Sequence, residues 1–380
     1  MKIAYVCADA GIPLLGHKGA SVHLRSLAGA LARRGHRVLL LADRIDGENP
    51  PPANVTVGPL TDGSLTQVLR DWACEVVLER YSLASGKALE ASRALGIAYV
   101  LELNAPLADE AARYRGLRDV ETWRVRERTI LNAADGVVAV SSGVRAHAIQ
   151  CGVVPARVVV VHNGVDLERY ESASGEPVRH RYGLGRADVV GFVGSLKPWH
   201  GVDLLLHAAA GLDQAVKVLI VGDGPQREDV EALARSLQLD NRVVFAGAVP
   251  HHAVPDYLAA MTVGAAPYRA QLDFYFSPVK VAEYLAAGLP VVASRQGDLP
   301  DLVREAGLLV TPDDASELRE ALHRVLSDHS LRHRMRRAAQ RQAKSMTWNE
   351  TAARVETVLA SARTRQHPGS GSGPGKEAAA

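Results

Sequence analysis

The sequence predicts an α/β protein built from two doubly wound halves, and three observations predict it. The chain has 380 residues, more than one core usually organises and enough for two of about 170–190 residues each. Short β-branched runs alternate with longer amphipathic stretches from end to end, the pattern of parallel sheets covered by helices on both faces. Near the midpoint, polar residues and Gly replace apolar periodicity over Asp166–Arg186, which reads as a linker.

In the first half, apolar runs predict strands at Ile3–Ala8, Arg37–Ala42, Val76–Leu78, Tyr99–Leu103, Gly136–Val140 and Val158–His162. Helical periodicity predicts Ala20–Arg34, Leu65–Ala73, Gly86–Ala94, Ala108–Ala134 and Ser142–Gln150 between them. The second half repeats the pattern, with strands at Val189–Val193, Lys217–Val221, Arg242–Phe245, Val263–Ala266, Val291–Ala293 and Leu308–Val310. Its helices are expected at Gly201–Gly211, Gln226–Leu237, Val254–Ala260, Val279–Ala287 and Ala315–Leu326. An amphipathic segment follows Trp348, and the Gly/Ser/Pro-rich 367–380 reads as a disordered tail.

Composition narrows the function. Hydrophobic residues make up 47% and charged residues 23% of the chain, as in soluble globular proteins. A net charge of +2 argues against a strongly electrostatic nucleic-acid binder. Cys7, Cys74 and Cys151 are scattered, without CxxC or a His pair at ligand spacing. Reduced, buried thiols are therefore expected, with neither disulfides nor a zinc site. Met1-Lys2 leads straight into a strand, which is no leader pattern. No apolar run reaches the roughly 18 residues of a membrane span, so a cytoplasmic protein is expected.

Three segments carry chemistry. Phe274, Tyr275 and Phe276 enter SPVKVAEYLAAGLPVVAS at 277–294: a Ser-Pro turn, a helix bearing Glu283, a Gly-Leu-Pro stop and a strand. A helix N-terminus offers unpaired N–H groups and partial positive charge to phosphate. Pro278 has no N–H, which leaves the amides of Val279 and Lys280 as donors beside Ser277. The Lys280 ammonium is unfavourable at a helix start unless an anion lies nearby. Glu283, two turns in, would repel phosphate and accept hydrogen bonds from neutral hydroxyls such as those of a ribose. The second segment, Gly16-His17-Lys18-Gly19-Ala20-Ser21, opens a helix after the first strand and lets backbone approach an anion. The third is Gly194-Ser195-Leu196-Lys197-Pro198-Trp199-His200-Gly201, with Lys197 and His200 as phosphate partners. Strand-end turns at Gly222-Asp223-Gly224 and Ala248-Val249-Pro250 would line the same pocket, Asp223 and Val249 included.

Taken in order, these segments, with VVAVSSGVR, VVVVHNGVD and GLLVTPDD, resemble glycosyltransferase family 4 (glycosyl transferases group 1) over about residues 1–360. The resemblance implies the GT-B fold: two Rossmann-like doubly wound domains facing each other across a cleft. It implies an acceptor-binding domain at 1–170, a nucleotide-sugar-binding domain at 171–346 and a returning helix at 347–366. The family's Gly-Gly pair stands here as Gly19-Ala20. Its diphosphate-neutralising Arg and Lys are replaced by Ser195 and His200, which leaves Lys197 and Lys280 to supply charge. In its Glu–seven residues–Glu signature, the sugar-binding first Glu is Tyr275 and the ribose-binding second is Glu283. Asn104 stands where relatives often carry a sugar-holding His, and Asn163-Gly164-Val165-Asp166 matches the inter-domain turn.

The implied reaction is retaining transfer of a hexosyl group (EC 2.4.1 type) from a nucleoside diphosphate to an acceptor hydroxyl. The departing phosphate takes the acceptor proton, and no metal or cofactor is expected. UDP-glucose and UDP-N-acetylglucosamine are favoured as donors over GDP-mannose. A small-molecule, saccharide or lipid-linked acceptor is expected, and no nucleic acid. The basic stretch Arg113–Arg128, broken by Asp119, Glu121 and Glu127, reads as a solvated helix face, with an anionic acceptor or peripheral contact with a membrane surface as the alternative. The sequence gives no oligomeric state. Two rival functions share its features: a GT-B-like sugar-nucleotide epimerase and a non-catalytic sugar-nucleotide binder.

Overall fold

The structure, a computed structural model, describes residues 1–60, 65–271, 274–275 and 277–366. The expected tail at 367–380 and Phe276 lie outside the described residues. The chain divides into two compact units: Met1–Val161 with the residues from Thr351 onward, and His162–Glu350.

In the first unit the strands are β1 (Lys2–Cys7), β2 (Arg37–Ala42), β3 (Val55–Pro59), β4 (Val76–Arg80), β5 (Ala98–Leu103), β6 (Gly136–Ala139) and β7 (Val158–Val160). In the second they are β8 (Val189–Val193), β9 (Lys217–Val221), β10 (Val243–Gly247), β11 (Val263–Ala266), β12 (Val291–Ser294) and β13 (Gly307–Val310). The sheet orders are β3-β2-β1-β4-β5-β6-β7 and β10-β9-β8-β11-β12-β13, and the paired strands run parallel. Each order reverses direction once, between β1 and β4 and between β8 and β11. At such a point neighbouring loops diverge and leave a crevice at the carboxyl ends of the strands, where doubly wound proteins bind ligands.

Most strands read from apolar runs are present, because a strand buried on both faces is continuously hydrophobic; β8, β9 and β11 have the expected bounds. β3 was not anticipated. It is a half-buried edge strand ending in Pro59, and edge strands tolerate the proline that argues against a central one. The helix expected over Ala108–Ala134 is two, Leu107–Arg115 and Val120–Ala133. Gly116 stops the first with a φ of 66°, the left-handed conformation that caps helices.

The stretch read as a linker is packed onto the second unit. It forms short helices at Glu168–Glu171 and Glu176–Arg181. Val165, Val178 and Leu184 are buried in that unit's core, with Leu167 and Tyr170 against it. Its polar residues are the outer faces of helices too short to show a period. The helix His329–Ala343 was also missed: only Met335, Ala338, Ala339 and Ala343 are buried along it. Arginines and histidines elsewhere mask that thin apolar stripe. The last helix, Trp348–Gln366, buries Ala352, Val355, Val358, Leu359 and Ala362. Within the first unit, its Arg363 meets Glu75 at 2.6 Å and its Glu356 meets Arg34 at 2.8 Å.

Candidate functional site

In the second unit the switch point is held by one tyrosine. β8 and β11 pair only through Val190 and Gly191, and beyond them the strands separate. The Tyr284 hydroxyl spans the gap, accepting from the Val193 amide at 2.9 Å and donating to the Ala265 carbonyl at 3.2 Å. A Cβ on Gly264 would come within 2.7 Å of its ring, so glycine is required there. Tyr284 thereby anchors the helix Val279–Ala286 to the end of β8. That helix begins after Pro278, and no side chain caps its first amides.

A cavity of about 260 Å³ lies at that helix start, lined by Val193, Gly194, His200, Tyr268, Ser277, Pro278, Val279, Lys280 and Glu283. Small-molecule pockets usually exceed about 300 Å³, so this one suits a fragment of a larger ligand.

Lys280 dominates its electrostatics. The residue is 7% exposed, and its Nζ has no hydrogen-bond partner among the described residues. The ammonium sits 4.0 Å from the Phe192 ring centroid and 5.0 Å from that of Tyr268. Ring faces attract a cation but replace only part of its hydration. Burial therefore lowers the Lys280 pKa to about 7, opposed by the charge of Glu283. Gly194 passes close: a Cβ there would lie 3.2 Å from Lys280 Nζ, at a φ of 137° that L side chains rarely adopt. The lysine thus presents its charge at the end of β8, beside the position where Ser195 replaces the family's arginine.

His200 is half-buried, packed edge-on against Tyr268 with centroids 5.4 Å apart. Its Nδ1–H donates to the Ser195 carbonyl. Burial, with help from Lys280 and Lys197, lowers its pKa to about 3. The ring is therefore neutral and its Nε2 is an acceptor. The sequence expectation had His200 donating to a phosphate; in this state the ring has no second proton to give.

Glu283 is 7% exposed. Its Oε1 accepts from the Tyr170 hydroxyl and from His251 Nε2, each at 3.3 Å. Arg169 Nη1 donates to His251 Nδ1 at 2.9 Å, which fixes the tautomer with hydrogen on Nε2. Tyr170, His251 and Arg169 thus orient Glu283. The sequence reading missed all three, although His251 directly follows the Val249-Pro250 turn it had singled out.

Other expected residues fall outside the cavity lining. Lys197 is half-buried with Nζ 5.9 Å from the Trp199 ring centroid, so its charge reaches His200 at a distance. Ser195 is exposed and contributes its carbonyl. Tyr275 is 8% exposed and adjoins Phe274, which packs edge-on against Tyr268 at 5.2 Å. Gly222 lies against the end of β8, where a Cβ would meet the Gly194 carbonyl oxygen at 2.0 Å. Asp223 is exposed and accepts from the Gly224 amide at 2.7 Å. Val249 is partly buried against the core.

In the first unit, Gly16 turns back on Pro13, its amide donating to the Pro13 carbonyl at 2.9 Å. Gly19 starts the helix Gly19–Arg33 in open space. Carbonyls in this loop are taken by side chains: Arg25 and Asn49 donate to Gly16 at 2.9 and 3.1 Å. Asn104 Nδ2 donates to Glu102 Oε1 at 2.7 Å, which turns the amide oxygen of Asn104 away from Glu102. Glu102 is fully buried; it also meets His23 at 2.8 Å and Arg80 at 3.1 Å, and accepts from the Tyr5 hydroxyl. Desolvation raises its pKa, yet these partners pull it down to about 2. No helix among the described residues is long and apolar enough to cross a membrane. One group among the described residues that could hold a metal ion lies in this unit, and none of its residues lines the cavity.

Two family models match the chain: Glycosyl transferases group 1 over residues 187–328 and Glycosyltransferase Family 4 over residues 17–169. A D-inositol 3-phosphate glycosyltransferase of Frankia alni is 27% identical over 379 residues, covering 88% of this chain and 92% of that one. A GDP-mannose-dependent alpha-(1-6)-phosphatidylinositol monomannoside mannosyltransferase of Mycolicibacterium smegmatis is 31% identical over 253 residues, covering 61% of this chain and 66% of that one. Among solved structures, Anabaena Alr3699/HepE in complex with UDP superposes with a TM-score of 0.76 at 22% identity, covering 95% of this chain and 100% of that one. Lined up with two parallel sheets of seven and six strands, these matches place the protein: it belongs to the group 1, family 4 glycosyltransferases and has the GT-B fold.

Proposed function

We propose that this glycosyltransferase moves a hexosyl group from a UDP-sugar to an acceptor hydroxyl with retention of anomeric configuration. One observation carries the reading: a buried lysine without a hydrogen-bond partner among the described residues, Lys280, faces a cavity at a helix start. A pyrophosphate supplies the countercharge it lacks. Oxygens of the leaving diphosphate would take hydrogen bonds from Lys280 Nζ and from the Val279 and Lys280 amides. Charge fixed where negative charge develops lowers the barrier without reorganisation, and one such donor is typically worth about 3 kcal/mol. Glu283, its Oε1 already engaged, would accept from a ribose hydroxyl through Oε2.

In the reaction the bond between the sugar's anomeric carbon and the diphosphate oxygen breaks. The acceptor oxygen bonds to the same face of that carbon, and its proton passes to the departing phosphate oxygen. This route needs no resident metal or protein nucleophile; the chain contributes positioning and charge. Asn104, whose amide nitrogen is held by Glu102, is proposed to contact the donor sugar through its amide oxygen.

Thermal-shift screening against UDP, GDP, ADP and TDP, followed by turnover with sugar donors of the best base, tests the proposal. Stabilisation by UDP and an α-linked product from an α-linked donor, read by NMR, are expected. Preference for GDP overturns the assignment of the base, and an inverted product overturns the mechanism.

A further inference from the structure

No zinc site is expected from the sequence, yet the fold of the first unit brings His147 and Cys151, four residues apart, together with a buried glutamate from another helix. We propose that Glu127, His147 and Cys151 form a zinc-binding site, separate from the donor cavity. His147 lies in the helix Ser142–Gln150 and Cys151 caps its end. Four residues apart, they share one helix face. Glu127 comes from the helix Val120–Ala133 and is 1% exposed. The side-chain donor atoms of all three lie within 4.8 Å of one another.

The contacts suit a cation better than a hydrogen-bond network. Glu127 Oε1 and Cys151 Sγ both approach the same imidazole nitrogen, His147 Nε2, the sulfur at 3.6 Å. That nitrogen carries one hydrogen or one lone pair, so it cannot serve both neighbours well. A zinc ion can bind all three once Glu127 Oε1 draws back from its direct contact with Nε2, since an oxygen and a nitrogen on one tetrahedral zinc lie about 3.3 Å apart. Tetrahedral zinc, with Zn–N of about 2.0 Å and Zn–S of about 2.3 Å, holds nitrogen and sulfur about 3.5 Å apart. The carboxylate is already oriented: its Oε2 accepts from the Ala108 amide at 3.3 Å, and the Tyr81 hydroxyl hydrogen-bonds the same group. Such outer contacts aim ligands in metal sites. A nitrogen, sulfur and oxygen donor set favours zinc over the oxygen-seeking magnesium and calcium. Glu127 is buried, whereas the His147 side chain is 19% exposed and Cys151 is half-buried. The fourth position therefore opens toward solvent and takes water. Coordination displaces the protons on Sγ and Nε2 to solvent and ties the two helices together.

Full-length protein stripped with chelator, and its Cys151→Ser and Glu127→Gln variants, would be titrated with zinc by calorimetry and with cobalt by absorption. Circular dichroism would confirm that each variant folds. The wild type should bind one zinc, and its cobalt form should show a sulfur-to-metal charge-transfer band. Cys151→Ser should lose that band and bind zinc at least tenfold more weakly, and Glu127→Gln should also bind more weakly. Absence of stoichiometric zinc binding, unchanged affinity in Cys151→Ser, or a cobalt spectrum without the sulfur band would overturn the proposal.

Discussion

Donor binding should take up a proton, and Lys280 should be its destination. Burial holds the pKa of Lys280 at about 7 rather than 10.5. That difference corresponds to about 5 kcal/mol disfavouring the charged form. At pH 8.5 only about 3% of molecules carry the ammonium before ligand arrives. A pyrophosphate against Nζ restores the charged form, so each binding event consumes close to one proton. At pH 6 the lysine is already about nine-tenths charged, and uptake falls to about 0.1 proton. His200, at about 3, would need a shift of more than about five units to contribute at pH 8.5. Calorimetric titration of UDP in buffers of different ionisation enthalpy reads the proton count directly. Apparent affinity should also fall about tenfold per pH unit above 7, until the pKa of the complex is reached. Zero uptake at pH 8.5, or equal uptake by a Lys280→Met variant, would refute the reasoning.

Further outcomes follow from the same geometry. Lys280→Met keeps the side-chain volume and removes a buried amine; it should lower turnover by about 10²–10³ yet raise Tm at pH 7. The sign follows from linkage: with a folded pKa below the unfolded one, the wild type gains stability as pH rises from about 7 to 10.5, and the variant should lack that rise in melting scans. Glu283→Ala should weaken UDP binding by about 1–3 kcal/mol while leaving inorganic pyrophosphate affinity nearly unchanged, as competition assays would show. Gly194→Ala, forced to a φ of 137° beside Lys280, should cost about 1–3 kcal/mol in denaturant unfolding. Asn104→Ala should lower turnover more than UDP affinity, since its proposed contact is with the sugar.

The fold was legible because buried parallel strands are written as continuous apolar runs such as VKVLIV and VVGFV, punctuated by Gly and Pro. β3 and His329–Ala343 escaped because an edge strand and an arginine-rich helix bury too little to leave a period. At the site, Lys280 and Glu283 were legible from their places in one helix. A carboxylate about one turn into a helix that follows a Ser-Pro start, with a lysine in the first turn, has specific electrostatic consequences. The partners of Glu283 were not, since Tyr170, Arg169 and His251 approach from segments about 30 to 115 residues away, and only folding brings them together. The protonation of His200 was equally hidden. Its neutral state depends on the Ser195 carbonyl, on burial and on Lys280. The Glu127, His147 and Cys151 group joins two helices, and each residue alone reads as ordinary.

The most direct measurement is a crystal structure of the protein with UDP. The account predicts pyrophosphate oxygens within about 2.7–3.1 Å of Lys280 Nζ and the Val279 amide, with a ribose hydroxyl on Glu283. A well-ordered UDP bound elsewhere, with Lys280 still unpaired, would contradict it.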